Sequence, residues 1–188
     1  DEPQLLRNHA LALVSEGDAG AAQALLETQL TTRPDWIEGH NTLSRIRLTA
    51  GECEGHDRSY AEASSAKPDS MALRLAWFHN AAILKDWQKV RQILYDAERD
   101  FPGQRSLGSA RFYLACESGD DTAVDQLVEA VSDIVDPGLD LCRVRLHLRR
   151  GDYGAAEICA SRHIGTPAAN MFWPYLSLVW RLTGNSRA

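Results

Sequence analysis

The sequence predicts an all-α fold, an array of one repeated helical hairpin, and three observations carry that prediction. Pro34, Pro68 and Pro102 recur in two successive steps of 34 residues, a period typical of helical repeats. Gly17, Gly51 and Gly119 share one frame, with Lys85 in the same slot of the third segment, and an acidic residue follows each at once: Asp18, Glu52, Asp86 and Asp120. Between these marks the apolar residues keep helical spacing, and no segment shows the sustained alternation of a strand.

Each hairpin can be justified in order. Segments at 3–36, 37–70, 71–104, 105–136 and 137–167 each read as two helices, and 168–183 reads as the first helix of a sixth. Within a segment the glycine suits a left-handed helix C-cap, and the acid that follows suits the first turn of the next helix, where it meets the positive end of the dipole. The second helix then carries small and large apolar residues at helical spacing: Ala22 and Leu26, Tyr60 and Ala63, then Val90, Leu94 and Ala97. Small residues let neighbouring helices approach, and large ones fill the space between hairpins. Proline stops the helix.

These residues resemble the tetratricopeptide-repeat (TPR) family, most clearly at the C-terminus. There Trp173, Leu176, Ser177, Trp180 and Gly184 in WPYLSLVWRLTG look like the family's aromatic, leucine, small, aromatic and turn-glycine pattern. The resemblance covers nearly the whole chain and implies a right-handed α-solenoid of about five and a half hairpins, treated as one repeat domain over 1–188. It also implies a protein-interaction role. The closing WPYLSLVWRLTGN is further similar to the end of TPR arrays in bacterial proteins that run on into a 2-oxoglutarate- and Fe(II)-dependent oxygenase domain. That second resemblance implies a non-catalytic arm of a multidomain enzyme, whose iron ligands would lie outside this chain.

The sequence departs from the family pattern at several points. Gln29 stands where a small residue is expected in the first hairpin and His56 where alanine is expected in the second. The step also slips after Pro102, since Pro137 follows 35 residues later and Gly119 and Gly151 are 32 apart. The chain starts at Asp1 and runs to Arg187 and Ala188, where the second helix of a sixth hairpin would begin. It is therefore expected to be a piece of a longer protein, with the apolar Phe172, Leu176 and Trp180 of its last helix left uncovered.

Composition narrows the function classes. The 188 residues are 44% hydrophobic, carry a formal net charge of −6 and have a sequence pI of about 5.5. An acidic chain does not offer the clustered cations that displace counterions from nucleic acid, so no nucleic-acid partner is expected. No apolar run is long enough to cross a bilayer, so no membrane partner is expected, and the location is read as bacterial cytoplasm. Cys53, Cys116, Cys142 and Cys159 lie far apart with no CxxC, and all four are read as reduced and packed.

The motifs of common catalytic sites are absent: no GxSxG, no phosphate-cradling glycine loop, no HExxH and no EF-hand loop. Six histidines are scattered over several hairpins, without the convergent geometry a metal needs. Asp120 and Asp121 are adjacent, so on a helix they do not face each other, and they read as helix-start residues. The five tryptophans fall at hairpin junctions and on apolar faces, as inter-repeat packing requires. No catalytic residue, metal ligand or cofactor is assigned, and this chain is read as non-enzymatic.

What remains is a wall. In stacked hairpins the first helices line the concave surface, and equivalent positions form a ladder that an extended peptide can follow. One ladder reads Leu11, Arg45, His79 and Tyr113, each 34 apart, and continues with Arg145; Arg7, Asn41, Asn80 and Arg149 are placed nearby on the same face. Guanidinium forks and amides supply directed donors for a carboxylate or peptide backbone. The same residue types also suit a solvated helix face. The stretch CRVRLHLRRGDY adds Arg143, Arg145, Arg149 and Arg150, read either as an ordinary amphipathic helix or as a basic end to the groove. The expected partner is a protein or peptide of acidic character, or a further domain of the same chain. The family's two-carboxylate clamp for chaperone tails is not reproduced, because Leu11 stands where a donor asparagine is required.

Overall fold

The computed structural model describes residues 2–184, so the chain end at Arg187 and Ala188 lies outside the described residues. Eleven α-helices follow one another, with no strand among the described residues. They are α1 (Glu2–Ser15), α2 (Ala19–Thr32), α3 (Ile37–Thr49), α4 (Arg58–Ala66), α5 (Met71–Ala81), α6 (Trp87–Asp100), α7 (Arg105–Ser118), α8 (Asp121–Leu127), α9 (Pro137–Arg149), α10 (Tyr153–Ser161) and α11 (Ala169–Thr183). Paired in order, the first ten form the five hairpins read from the sequence, and α11 is the helix read as the first of a sixth. By contact the chain divides into two compact units, residues 1–107 and 108–188, with the division inside α7.

The predicted punctuation is physically real. Gly17, Gly51, Gly119 and Gly151 have φ between 75° and 89°, and Lys85, which takes the glycine slot of the third hairpin, has φ 58°. Asp18, Asp86, Asp120 and Asp152 then accept a hydrogen bond from the backbone N–H three residues on, at 2.8–3.2 Å. Each satisfies one of the donors that a helix start leaves open. Asp121 lies in the first turn beside Asp120, as the pair's adjacency predicts.

The second hairpin departs from this pattern. Glu52 is not in a first helical turn, because α4 begins only at Arg58. The intervening ECEGHD holds a second glycine at positive φ, Gly55 at 73°, and the Glu52 carboxylate instead accepts from Gln23 Nε2 at 3.0 Å. Pro137 differs too. Pro34, Pro68 and Pro102 each follow the end of a second helix, whereas Pro137 opens α9 behind the N-cap Asp136, where the missing N–H costs nothing.

In the first unit, Ala10, Ala22, Leu26, Leu30, Trp36, Leu43 and Ile46 form one apolar cluster. Trp36 also explains the first turn of α3, since a Cβ on Gly39 would lie 2.3 Å from the indole ring. Tyr60, Ala63 and Leu73 continue the core across the second and third hairpins. Asp57, 1% exposed, sits at the head of α4 and accepts from Trp77 Nε1 at 2.7 Å and Lys89 Nζ at 2.6 Å. Burial pushes its carboxyl up, but these two hydrogen bonds and the lysine charge outweigh it, and the group is held below the usual carboxylate range.

In the second unit, Phe112, Ala115, Cys116, Val124, Val131, Leu139, Cys142 and Leu146 pack together. Val144, Ala156, Cys159, Ala160, Phe172, Leu176 and Val179 form its other cluster. Phe172 and Leu176 are therefore buried against α9 and α10, contrary to the expectation of an uncovered face; the exposed apolar residues of α11 are Met171, Trp173, Leu178 and Leu182. Cys53 also differs from expectation. It is exposed in the long turn before α4, while the other three thiols are buried.

Candidate functional site

The first helices of the first unit bring part of the predicted ladder together. Arg7, Leu11 and Val14 lie at helical spacing on α1, and Thr42, Arg45, Ile46 and Thr49 do so on α3; between them is a cleft of about 150 Å³. Leu11 is 42% exposed, and Arg45 is exposed while Arg7 is half-buried. Neither guanidinium has a hydrogen-bond or ion-pair partner among the described residues. Many other arginines of the chain are engaged: Arg33 with Glu2, Arg47 with Glu27, Arg74 with Asp100, Arg150 with Asp125. The cleft thus offers two uncommitted cations beside an exposed leucine. Thr42 and Thr49 do not compete for a ligand as donors, since their hydroxyls donate to the carbonyls of Glu38 and Arg45. Sequence reasoning named Arg7, Leu11 and Arg45 but missed Val14, Thr42 and Thr49, which lie three or four residues from them on the same faces, and Ile46, next to Arg45.

Asn41 is exposed on α3, and its side-chain oxygen accepts from the Tyr60 hydroxyl at 2.8 Å, so its NH₂ is the group left to offer. Tyr60 is itself buried, stacked on His40 with ring centroids 4.7 Å apart. His79 is exposed on α5, its ring meeting Phe78 edge-on at 5.1 Å. Asn80 is not on the wall, contrary to the sequence reading. It is 4% exposed, and its side-chain oxygen accepts from Ser44 Oγ at 2.9 Å. One residue's rotation along α5 from His79 turns the side chain by about 100°, which carries it from the wall into the packing between α3 and α5.

Tyr113, Arg145 and Arg149 belong to the second unit, and both of these arginines are already occupied. Arg145 donates to Glu117 Oε1 at 2.6 Å and to the Tyr175 hydroxyl at 2.9 Å. Burial works against its charge, but these two partners outweigh it and raise its proton affinity. Arg149 donates to the Cys116 carbonyl at 3.2 Å and faces Asp121 at 3.5 Å. Tyr113 is half-buried, and burial together with the Glu117 charge pushes its hydroxyl pKa up. Arg143, read as part of a basic stretch, is buried: it donates to Asp140 and to the carbonyls of Val131 and Ile134. Three of its five N–H donors are committed and the side chain is buried, so it is not presented to a ligand.

Among the described residues no group of three or more histidine, cysteine, aspartate or glutamate side chains could hold a metal ion. No helix there is long and apolar enough to cross a membrane. Trp173 and Trp180 meet edge-on at 6.3 Å, and Trp180 donates to Glu157 of α10 at 2.8 Å, so this pair packs on its own helix and on the hairpin before it.

The fold is that of tetratricopeptide-repeat proteins. A thermophilic TPR protein of Thermus thermophilus superposes with a TM-score of 0.62 at 17% identity, over 93% of this chain and 98% of that one. PilW, a type IV pilus biogenesis factor, gives 0.59 at 14% identity, over 100% and 88%. A TPR protein of Parabacteroides merdae gives 0.58 at 15%, over 97% and 74%. No protein-family model matches the sequence, and no curated protein matches it. The likeness is one of fold.

Proposed function

We propose that the chain is a protein-interaction scaffold, and that the cleft between α1 and α3 holds a segment of a partner polypeptide through a carboxylate flanked by an apolar side chain. The observation that carries this reading is the pair of unpartnered guanidiniums, Arg7 and Arg45, beside the exposed Leu11. A carboxylate is the natural complement of a guanidinium fork, and an apolar neighbour would cover Leu11 and exclude water from the pair. Asn41 and His79 extend the same wall on α3 and α5. The TPR fold supports the reading in general terms, since helical-repeat arrays present such walls to extended segments.

The test is fluorescence anisotropy with peptides that end in a free carboxylate after an apolar residue, each paired with its C-terminal amide. The free acids are expected to bind more tightly than the amides. Arg7→Ala with Arg45→Ala should weaken the acids by about 2 to 5 kcal/mol if the contacts are desolvated, and by far less at a rim position. Raising salt from 0.1 M should separate the two cases, because exposed pairs are screened over about 10 Å. Equal affinities for wild type and double variant would remove the site from this cleft.

A further inference from the structure

The apolar part of the α1–α3 cleft restricts what can enter beside the two arginines. Thr42 and Ile46 are its buried residues, Val14 is half-buried, and Leu11 and Thr49 are exposed at its edge. The two threonines are apolar in effect. Their hydroxyls donate to the carbonyls of Glu38 and Arg45 at 2.7 and 2.9 Å, so each has committed its one proton to its own helix and has a methyl group left to present. Among the residues lining the cleft, Arg7 and Arg45 alone keep side-chain donors to offer. A polar side chain that entered below them would lose its water without a donor to replace it.

We propose that the cleft is specific for a branched aliphatic residue, leucine or isoleucine, at the carboxyl end of the partner, and that Leu11, Thr42 and Thr49 set this specificity. The proposal rests on the carboxylate reading above and deepens it. A space of about 150 Å³ takes one apolar body of about the size of benzene. A leucine side chain fits within it, an alanine methyl leaves most of it to water, and an indole exceeds it. One residue must also supply both groups. In an extended segment neighbouring side chains point to opposite sides, so an internal acidic residue beside a leucine would turn its carboxylate away. A terminal residue carries its side chain and its carboxylate on the same Cα, and can fill the cleft while it meets the guanidiniums.

The probes are labelled peptides of one sequence that end in leucine, isoleucine, alanine, asparagine or tryptophan, each as free acid and as amide, with affinities read by fluorescence anisotropy. The leucine and isoleucine acids are expected to bind most tightly. Alanine should be about tenfold weaker through lost apolar contact, and asparagine, close to leucine in shape, at least as weak; tryptophan should also fall below leucine. Thr49→Ser removes the methyl and keeps the hydroxyl, and should weaken the leucine acid by about two- to fourfold, more than Thr49→Val, which keeps the methyl. Leu11→Ala widens the cleft from an exposed position and should move the preference from leucine towards tryptophan. Acids that bind more tightly than amides but show no order among the side chains, or a larger loss in Thr49→Val than in Thr49→Ser, would overturn this proposal and leave the carboxylate reading standing. Acids and amides that bind alike across the series would overturn both.

Discussion

Replacing Lys85 with glycine should stabilise the protein. Lys85 has φ 58° and ψ 26°, closing the turn between α5 and α6, and it is the one non-glycine residue at positive φ among the described residues. The left-handed conformation costs a residue with a Cβ about 1–2 kcal/mol. Glycine removes that cost but has more backbone freedom to lose on folding, about 0.5–1 kcal/mol, so the net gain is about 0.5–1 kcal/mol. The lysine side chain is exposed and makes no ion pair among the described residues, so its loss removes little. For a chain of this size the gain corresponds to a Tm increase of about 1–4 °C.

The reciprocal change provides the control. A Cβ at Gly119, in the equivalent turn of the next hairpin, would meet nothing within 4 Å, so Gly119→Lys should cost about the same 0.5–1 kcal/mol through the backbone alone. Urea unfolding followed by far-UV circular dichroism gives both numbers, provided the m-value is unchanged. If Lys85→Gly were neutral or destabilising while Gly119→Lys was also neutral, the left-handed turn would not carry the energy assigned to it.

Two further outcomes are expected. Ala63 and Ala97 sit buried on second helices, so phenylalanine at either should cost about 1–3 kcal/mol by overpacking; thermal melts at wild-type Tm for both would contradict the packing. His40 is buried, its Nδ1 has no partner and its Nε2 lies 2.9 Å from the Pro34 carbonyl, and burial holds its pKa below the ordinary value against smaller raising contributions from that carbonyl and Glu62. The unfolded chain then binds the proton more readily, so the neutral ring's contribution is complete above about pH 6.5 and declines as pH falls below it. Denaturation at pH 7, 6 and 5 should show a shallower loss in His40→Gln, and an identical slope would refute the assignment.

What was legible in the sequence is what repeats. The glycine slot and the residue after it were enough to place Lys85 in a left-handed turn and Asp18, Asp86 and Asp120 at helix starts, because each hairpin solves the same local problem of ending one helix and beginning another. The second turn was misread because Gly55, four residues after Gly51, supplies another positive-φ corner that delays α4; period alone cannot show an inserted corner. Of the residues read as a wall, Arg45 and His79 are exposed on α3 and α5, whereas Asn80 is buried. A polar residue type suggests exposure, but the partner that makes its burial tolerable, Ser44, lies 36 residues away.

The same reasoning explains why the two buried carboxylates were invisible. Asp57 and Asp140 are 1% and 0% exposed, and a charge so placed is tolerated only where matching donors meet it. For Asp57 these are Trp77 and Lys89, 20 and 32 residues on. For Asp140 they are Arg143 and, 23 residues on at 2.8 Å, His163, whose ring stacks on Phe172 at 4.4 Å. No donor set recurs with the period, so each carboxylate is satisfied in one arrangement of its neighbours. Hairpins built from interchangeable apolar contacts could slide by a repeat at little cost in buried area, whereas a shifted stacking would leave Asp57 or Asp140 buried without its donors. The periodic residues therefore make the hairpins, and the aperiodic buried pairs decide which hairpin sits on which.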